Sequence, residues 1–327
     1  MSITTAAREE TLRAWAIDAA RRLVRAGETL AARQSLAGPE QGNVAPWPGS
    51  DELDFHGTLG AIWIWSRAQK LSSDDRFALN IAAGWAFIGA AWRHFIPSSL
   101  GSSASDESPY DCAMVLRAML VDGAPRGAEV QGRAEMVGRL LGAYLSDLDP
   151  AQLGGREFRD PGFLAWSLAE YARAVGERGL LASARRFVDR AFGMKAPPAF
   201  AAEPGAAGDG LFDFSSTIAT RVLAVISAEG ATPFVGAWLR ERVAVCAPRA
   251  FVPRAVDENT WNACAAAALG RAFVVSTDPR FFDAHQAILA EIDRRLLGGA
   301  LGRAPEFPAE TAATFYYALA VDALVKL

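Results

Sequence analysis

The chain has 327 residues, 51% of them hydrophobic and 21% charged, with a formal net charge of −4. That apolar content supplies a large core and excludes an intrinsically disordered chain, while the acidic balance argues against nucleic acid or anionic membrane as the main partner. Three scattered cysteines without a CxxC pair, a polar start at Ala6-Ala7-Arg8-Glu9-Glu10, and no apolar run longer than Ile81 to Trp92 predict a soluble, cytoplasmic protein without a transmembrane segment.

In chain order, helical periodicity runs almost throughout and strand alternation is nearly missing. A long N-terminal helix is predicted over Ala6–Ala32. Six Ala-rich, mostly apolar helices follow, at about Thr58–Lys70, Asp111–Leu120, Gly162–Val175, Ser216–Ala228, Thr260–Val275 and Glu310–Leu327. Amphipathic, Arg-bearing helices alternate with them: Ser73–Phe95, Val130–Leu148, Leu180–Phe192, Pro233–Val245 and Pro279–Leu297. Ser73-Asp74-Asp75 and Thr277-Asp278-Pro279 carry helix-start chemistry, a capping side chain or a first-turn proline.

The apolar set recurs at 58, 111, 163, 216, 261 and 311, in steps of 53, 52, 53, 45 and 50 residues. A near-constant step of that size marks a repeat architecture. A helix that is apolar all round must be buried all round, so six of them form an inner barrel and the amphipathic set covers it. The expected fold is all-α: an α/α toroid of about six helical hairpins, one domain over residues 1–327, with the N-terminal helix closing the ring against the last. Pro/Gly-rich segments at 38–49, 97–109, 196–210 and 298–308 mostly precede inner helices and so share one rim.

The stretch Ser108-Pro109-Tyr110-Asp111-Cys112-Ala113-Met114-Val115-Leu116-Arg117 resembles the D-x-D-D-T-A-M region that opens an inner helix in class II terpene cyclases, the squalene–hopene and copalyl diphosphate type. The Gln41 to Trp47 spacing is similar to that family's Gln–Trp repeat, and the toroid also suits the prenyltransferase superfamily. The resemblance implies an isoprenoid-handling cyclase or isomerase acting on a small apolar substrate. The middle Asp, the family's proton donor, is replaced here by Tyr110. Tyrosine ordinarily titrates near ~10 against ~3.9 for Asp, a deficit of about 8 kcal/mol, so Tyr110 does not inherit the acid role.

The expected catalytic group is therefore Asp111 with Tyr110, Asp54 and His56. Asp111 is the donor or its partner, and His56 is a base or donor polarised by Asp54. The expected substrate-binding residues are Trp63, Trp166, Phe214, Trp261, Tyr316 and Tyr317 around an aromatic cavity, with Arg159 and Arg303 from rim loops. Taken one at a time, each ring is better accounted for as core packing, and the set as a whole favours an apolar or flat ligand. No metal site is expected: Asp111 and Cys112 lack a third ligand, and the sequence carries no aspartate-rich D-D-x-x-D helix, although Mg²⁺ would accompany a diphosphate substrate. Two other readings stay open. One is a carbohydrate-active toroid (hydrolase, lyase or epimerase) with rim carboxylates; the other is a non-catalytic binding descendant of the cyclase fold.

Overall fold

Two kinds of helix alternate along the chain, and their residues say why. The computed structural model describes residues 5–100, 108–122, 127–148, 161–192, 216–229, 256–296 and 311–325. Eleven helices lie among these described residues: α1 (Thr5–Ala31), α2 (Phe55–Ser72), α3 (Ala78–Phe95), α4 (Ser108–Asp122), α5 (Gly127–Asp147), α6 (Pro161–Val175), α7 (Arg178–Phe192), α8 (Ser216–Glu229), α9 (Val256–Ser276), α10 (Pro279–Leu296) and α11 (Thr311–Asp322). The β-type pairing among them is the isolated bridge between Gln34 and Val44. The segment expected as a helix over Pro233–Val245 lies outside the described residues.

Helices α2, α6 and α11 are buried along nearly their whole length. They cannot face water on any side, and they are inner helices. Helix α3 instead buries Ile81, Gly84, Phe87, Ile88 and Trp92, a single stripe at three- and four-residue spacing, and turns its other face outward. Around the inside, α2 packs on α4, α4 on α6, α6 on α8, α8 on α9 and α9 on α11. Helix α11 returns to α2 and closes the circle. The chain is thus an all-helical α/α toroid.

Helix α1 lies over the closing seam, touching both α2 and α11. Its Trp15 indole donates to the Val321 carbonyl at 3.0 Å. From the other side, the Trp65 indole donates to the Gly27 carbonyl of α1 at 2.8 Å. At Gly60 the seam is so close that a Cβ would stand 3.0 Å from Cβ of Phe315. None of the described helices is long and apolar enough to cross a membrane.

Two boundaries differ from expectation in a way that positions the site. Helix α2 begins three residues early, because Asp54 caps it: its carboxylate accepts the Gly57 amide at 2.6 Å. Helix α4 also begins three residues early, with Pro109 in its first turn, where a missing N–H costs nothing. Tyr110 and Asp111 therefore sit on a helix and not in a loop. Conversely, residues 73–77 form a turn ahead of α3, since Ser73 takes a left-handed conformation (φ 55°) and ends α2.

Candidate active site

Three of the expected polar residues meet where α2 and α4 begin. His56 Nδ1 lies 3.6 Å from Asp111 Oδ1. Asp111 is buried in the first turn of α4, where the helix dipole favours a carboxylate. Burial pushes the Asp54 carboxyl above the usual carboxylate range. The Gly57 amide and His56 oppose that shift, and the charges of Asp111 and Glu52 add to it. A carboxyl raised above its ordinary value, a second carboxylate and an imidazole make up the basic parts of proton-transfer chemistry.

The loop before α2 fixes Asp54 through residues that the sequence did not single out. Asn43, itself buried, accepts the Asp54 amide at 2.9 Å and donates to the Glu52 carbonyl at 3.0 Å. The Val44 amide donates to Thr58 Oγ1 at 2.9 Å. Thr311, at the start of α11, donates its amide to Pro46 and its hydroxyl to Ala45, at 2.9 and 2.7 Å. The available signal was a set of small polar residues embedded in apolar surroundings, which reads equally well as ordinary turn chemistry.

Below the acid group, the expected aromatic residues pack on one another. The Tyr110 ring stacks on Phe163 at 6.2 Å between centroids, and Phe163 meets Trp166 edge-on at 5.9 Å. Phe163 also lies 6.1 Å from Tyr316, although α6 and α11 are opposite members of the ring. Trp63 closes the layer edge-on against Phe315 at 5.7 Å. Trp63, Trp166, Tyr316 and Tyr317 are all buried. Tyr317 turns outward, its hydroxyl accepting from Arg22 of α1 at 3.4 Å. Phe214, Arg159 and Arg303 lie outside the described residues, as does the side chain of Trp261, a residue of α9.

Deeper still is a layer of charge in which Arg67, Arg117 and Asp322 are buried. Arg117 lies over the Trp166 ring at 3.5 Å and donates to Ser167 Oγ at 2.8 Å. It pairs with Glu170 at 3.2 Å, and Arg271 reaches the same carboxylate at 3.7 Å. Arg67 pairs with Asp322 at 2.5 Å. Burial works to raise Glu170, but the charges of Arg117 and Arg271 outweigh it and hold the carboxyl below its ordinary value. Asp322 is pushed up to about 6, burial outweighing Arg67 and Arg271. Since α6 and α9 are not ring neighbours, the Glu170–Arg271 contact reaches past the intervening α8. These residues went unnoticed in the sequence, yet Arg67, Arg117, Glu170, Arg271 and Asp322 each interrupt the C-terminal half of an apolar helix.

Other candidate chemistry is weaker. Burial pushes the Cys112 thiol up to about 12, and no three His, Cys, Asp or Glu side chains cluster to hold a metal among the described residues. A groove of about 420 Å³ between α5 and α7, lined by Glu135, Arg139, Gly142, Ser146, Leu180 and Ser183, lies on the outer ring away from the acid group. His285 is buried and hydrogen-bonded to the Ala320 carbonyl at 2.9 Å, a packing role.

No family model matches the chain, and no curated protein matches it by sequence. Solved structures do resemble it. The GH76A α-1,6-mannanase of Salegentibacter sp. HEL1_6 superposes with a TM-score of 0.58 at 10% identity, over 95% of this chain and 98% of that one. An inactive variant of the same enzyme, with two adjacent aspartates changed to asparagine and α-1,6-mannotriose bound, gives a TM-score of 0.60 at 10% identity, over 95% and 99%. The Lin0763 protein of Listeria innocua gives 0.61 at 9% identity, over 94% and 96%. These neighbours correct the resemblance to class II terpene cyclases, and with it the reading as an isoprenoid cyclase or isomerase with a small apolar partner. The physical reason is visible in the site: the Ser108–Met114 pattern is the start of a buried, Ala-rich toroid helix, and Phe163 and Tyr316 beneath it pack on each other across the ring. What the chain shares with the mannanase and the Listeria protein, end to end, is the α/α toroid fold.

Proposed function

We propose that this protein is a carbohydrate-active toroid that acts on glycosidic bonds at the N-terminal rim of its inner helices. The observation that carries this reading is the grouping of Asp54, Asp111 and His56 at that rim, above the layer where Phe163 meets Tyr316. Its support is the shared fold with a mannanase. In the proposed reaction Asp54 gives its proton to the glycosidic oxygen as the carbon–oxygen bond breaks. Asp111, oriented by His56, accepts a proton from the water that adds to the sugar carbon.

The test is incubation with a panel of oligosaccharides that includes α-1,6-mannotriose, read by release of reducing ends. Asp54→Asn and Asp111→Asn should each lower turnover by about 10²- to 10⁴-fold with the fold intact. Full activity in both variants would sink the assignment.

One observation favours a second reading, a saccharide-binding toroid without turnover. The mannanase loses activity when two adjacent aspartates are replaced. Here the one Asp-Asp pair in the sequence is Asp74-Asp75, beyond the far end of α2, where Asp74 is engaged by Arg76. Saccharide bound by the wild-type protein and recovered uncleaved would select this reading.

A further inference from the structure

Asp54 and Trp47 stand on one loop, and the acid group makes no use of the second. Residues 43–54 form a compact surface loop whose neck is pinned by Asn43, which bonds both Glu52 and Asp54. At its tip, Trp47-Pro48-Gly49-Ser50 closes a turn: the Ser50 amide donates to the Trp47 carbonyl at 3.2 Å, and Gly49 takes φ +82°. Proline followed by a positive-φ glycine is type II turn chemistry. Thr311 fastens the loop one residue before Trp47, and its methyl group lies so near Gly57 that a Cβ there would stand 2.9 Å from it. The loop that carries Trp47 is thereby bound to the first turn of α2, beside the acid.

We propose that Trp47 is the stacking platform for one sugar ring at the mouth of the toroid, adjacent to the Asp54–Asp111–His56 group; this rests on the carbohydrate reading above. Five of the described tryptophans, Trp15, Trp63, Trp65, Trp92 and Trp166, are buried and Trp85 is partly so, whereas Trp47 is 41% exposed. A large indole on a polar rim, with Leu53 exposed beside Asp54, presents an apolar face where it gains nothing from the core. The pyranose C–H face is the ligand chemistry that suits such a ring, with its hydroxyls left to neighbouring polar groups. Prolines on both sides, the turn and the Thr311 fastening order the loop in advance, so binding pays little to immobilise it.

The test is calorimetric titration of the wild type, Trp47→Ala, Trp47→Phe and Asp54→Asn with α-1,6-mannotriose, maltotriose, cellotriose and xylotriose. For whichever trisaccharide the wild type binds, Trp47→Ala should weaken affinity tenfold or more, while Trp47→Phe should stay within about threefold because it keeps an aromatic face. Asp54→Asn should still bind. The same trisaccharide should shield wild-type tryptophan fluorescence from acrylamide and lose that effect in Trp47→Ala. Wild-type affinity in Trp47→Ala overturns this proposal and leaves the carbohydrate reading standing. Failure of the wild type to bind any of the four overturns both.

Discussion

At the scale of single residues, the proposed reaction turns on Asp54, whose carboxyl burial raises above the ordinary carboxylate range. A general acid works only while protonated, so the acid-dependent step declines as pH rises through the Asp54 pKa. Because burial raises that pKa, the alkaline limb of the rate profile should lie above the ordinary carboxyl range. The Asp54→Asn variant should lose the limb along with the rate. A second expectation concerns Asn43, which touches no reacting group. Its replacement by Ala removes the acceptor for the Asp54 amide and the tie to Glu52. Turnover should fall about tenfold while the limb shifts, whereas a merely structural loss would lower Tm without moving it. Asp54, His56 and Asp111 stood out in the sequence because acidic side chains at helix starts are conspicuous, and two of them flank aromatic or imidazole neighbours. Asn43 and Thr311 did not, because a hydrogen bond across 266 residues, such as Thr311 to Ala45, leaves no local trace.

At the scale of the helices, alternation between all-round and one-sided apolar character told inner from outer elements, and the structure keeps that order. Sequence reasoning failed where partners come from different hairpins. Aromatic residues on or just before the apolar helices read as the lining of a central cavity; only the three-dimensional ring shows that Phe163 and Tyr316 meet across its centre. A ten-residue likeness in an Ala-rich helix start likewise carried more functional meaning than its length could support. The buried ion pairs give this scale its prediction. Arg67→Met leaves Asp322 buried without its partner and should destabilise the fold by about 3–5 kcal/mol at pH 8. Asp322 titrates at about 6 in the fold, above its ordinary 3.8, so its contribution to stability is full below the ordinary value and is lost as pH rises through 6. Without Arg67 the carboxyl moves higher still. Chemical denaturation should therefore show a clearly smaller penalty at pH 5 than at pH 8, and an equal penalty at both would contradict the buried-charge account.

At the scale of the whole molecule, a ring has no end from which to fray. Each inner helix is packed by two inner neighbours, and α1 covers the seam where α11 meets α2. A cavity placed under α1 should loosen the circle everywhere at once. Leu23→Ala, at a fully buried position of α1, should cost about 2–5 kcal/mol and lower the midpoint of a single thermal transition. Two separated transitions would mean that the hairpins melt independently and that the seam does not bind them into one unit. The repeat step of about fifty residues announced this circular plan. The closing contact itself joins residues such as Trp15 and Val321, 306 positions apart, and follows from geometry alone.

Phe163 and Tyr316, meeting from opposite inner helices, place side chains at the centre of the ring, as in a cup and unlike a tube. A tube can be threaded, letting a polymer feed through while successive units are processed on the way. A cup has one opening, which serves for both arrival and departure. On the proposed carbohydrate reading, a long glycan would lie across the lip or dip a chain end inward, and a released piece would back out past the incoming strand. Such an arrangement favours short encounters with repeated release over sustained travel along a single polymer.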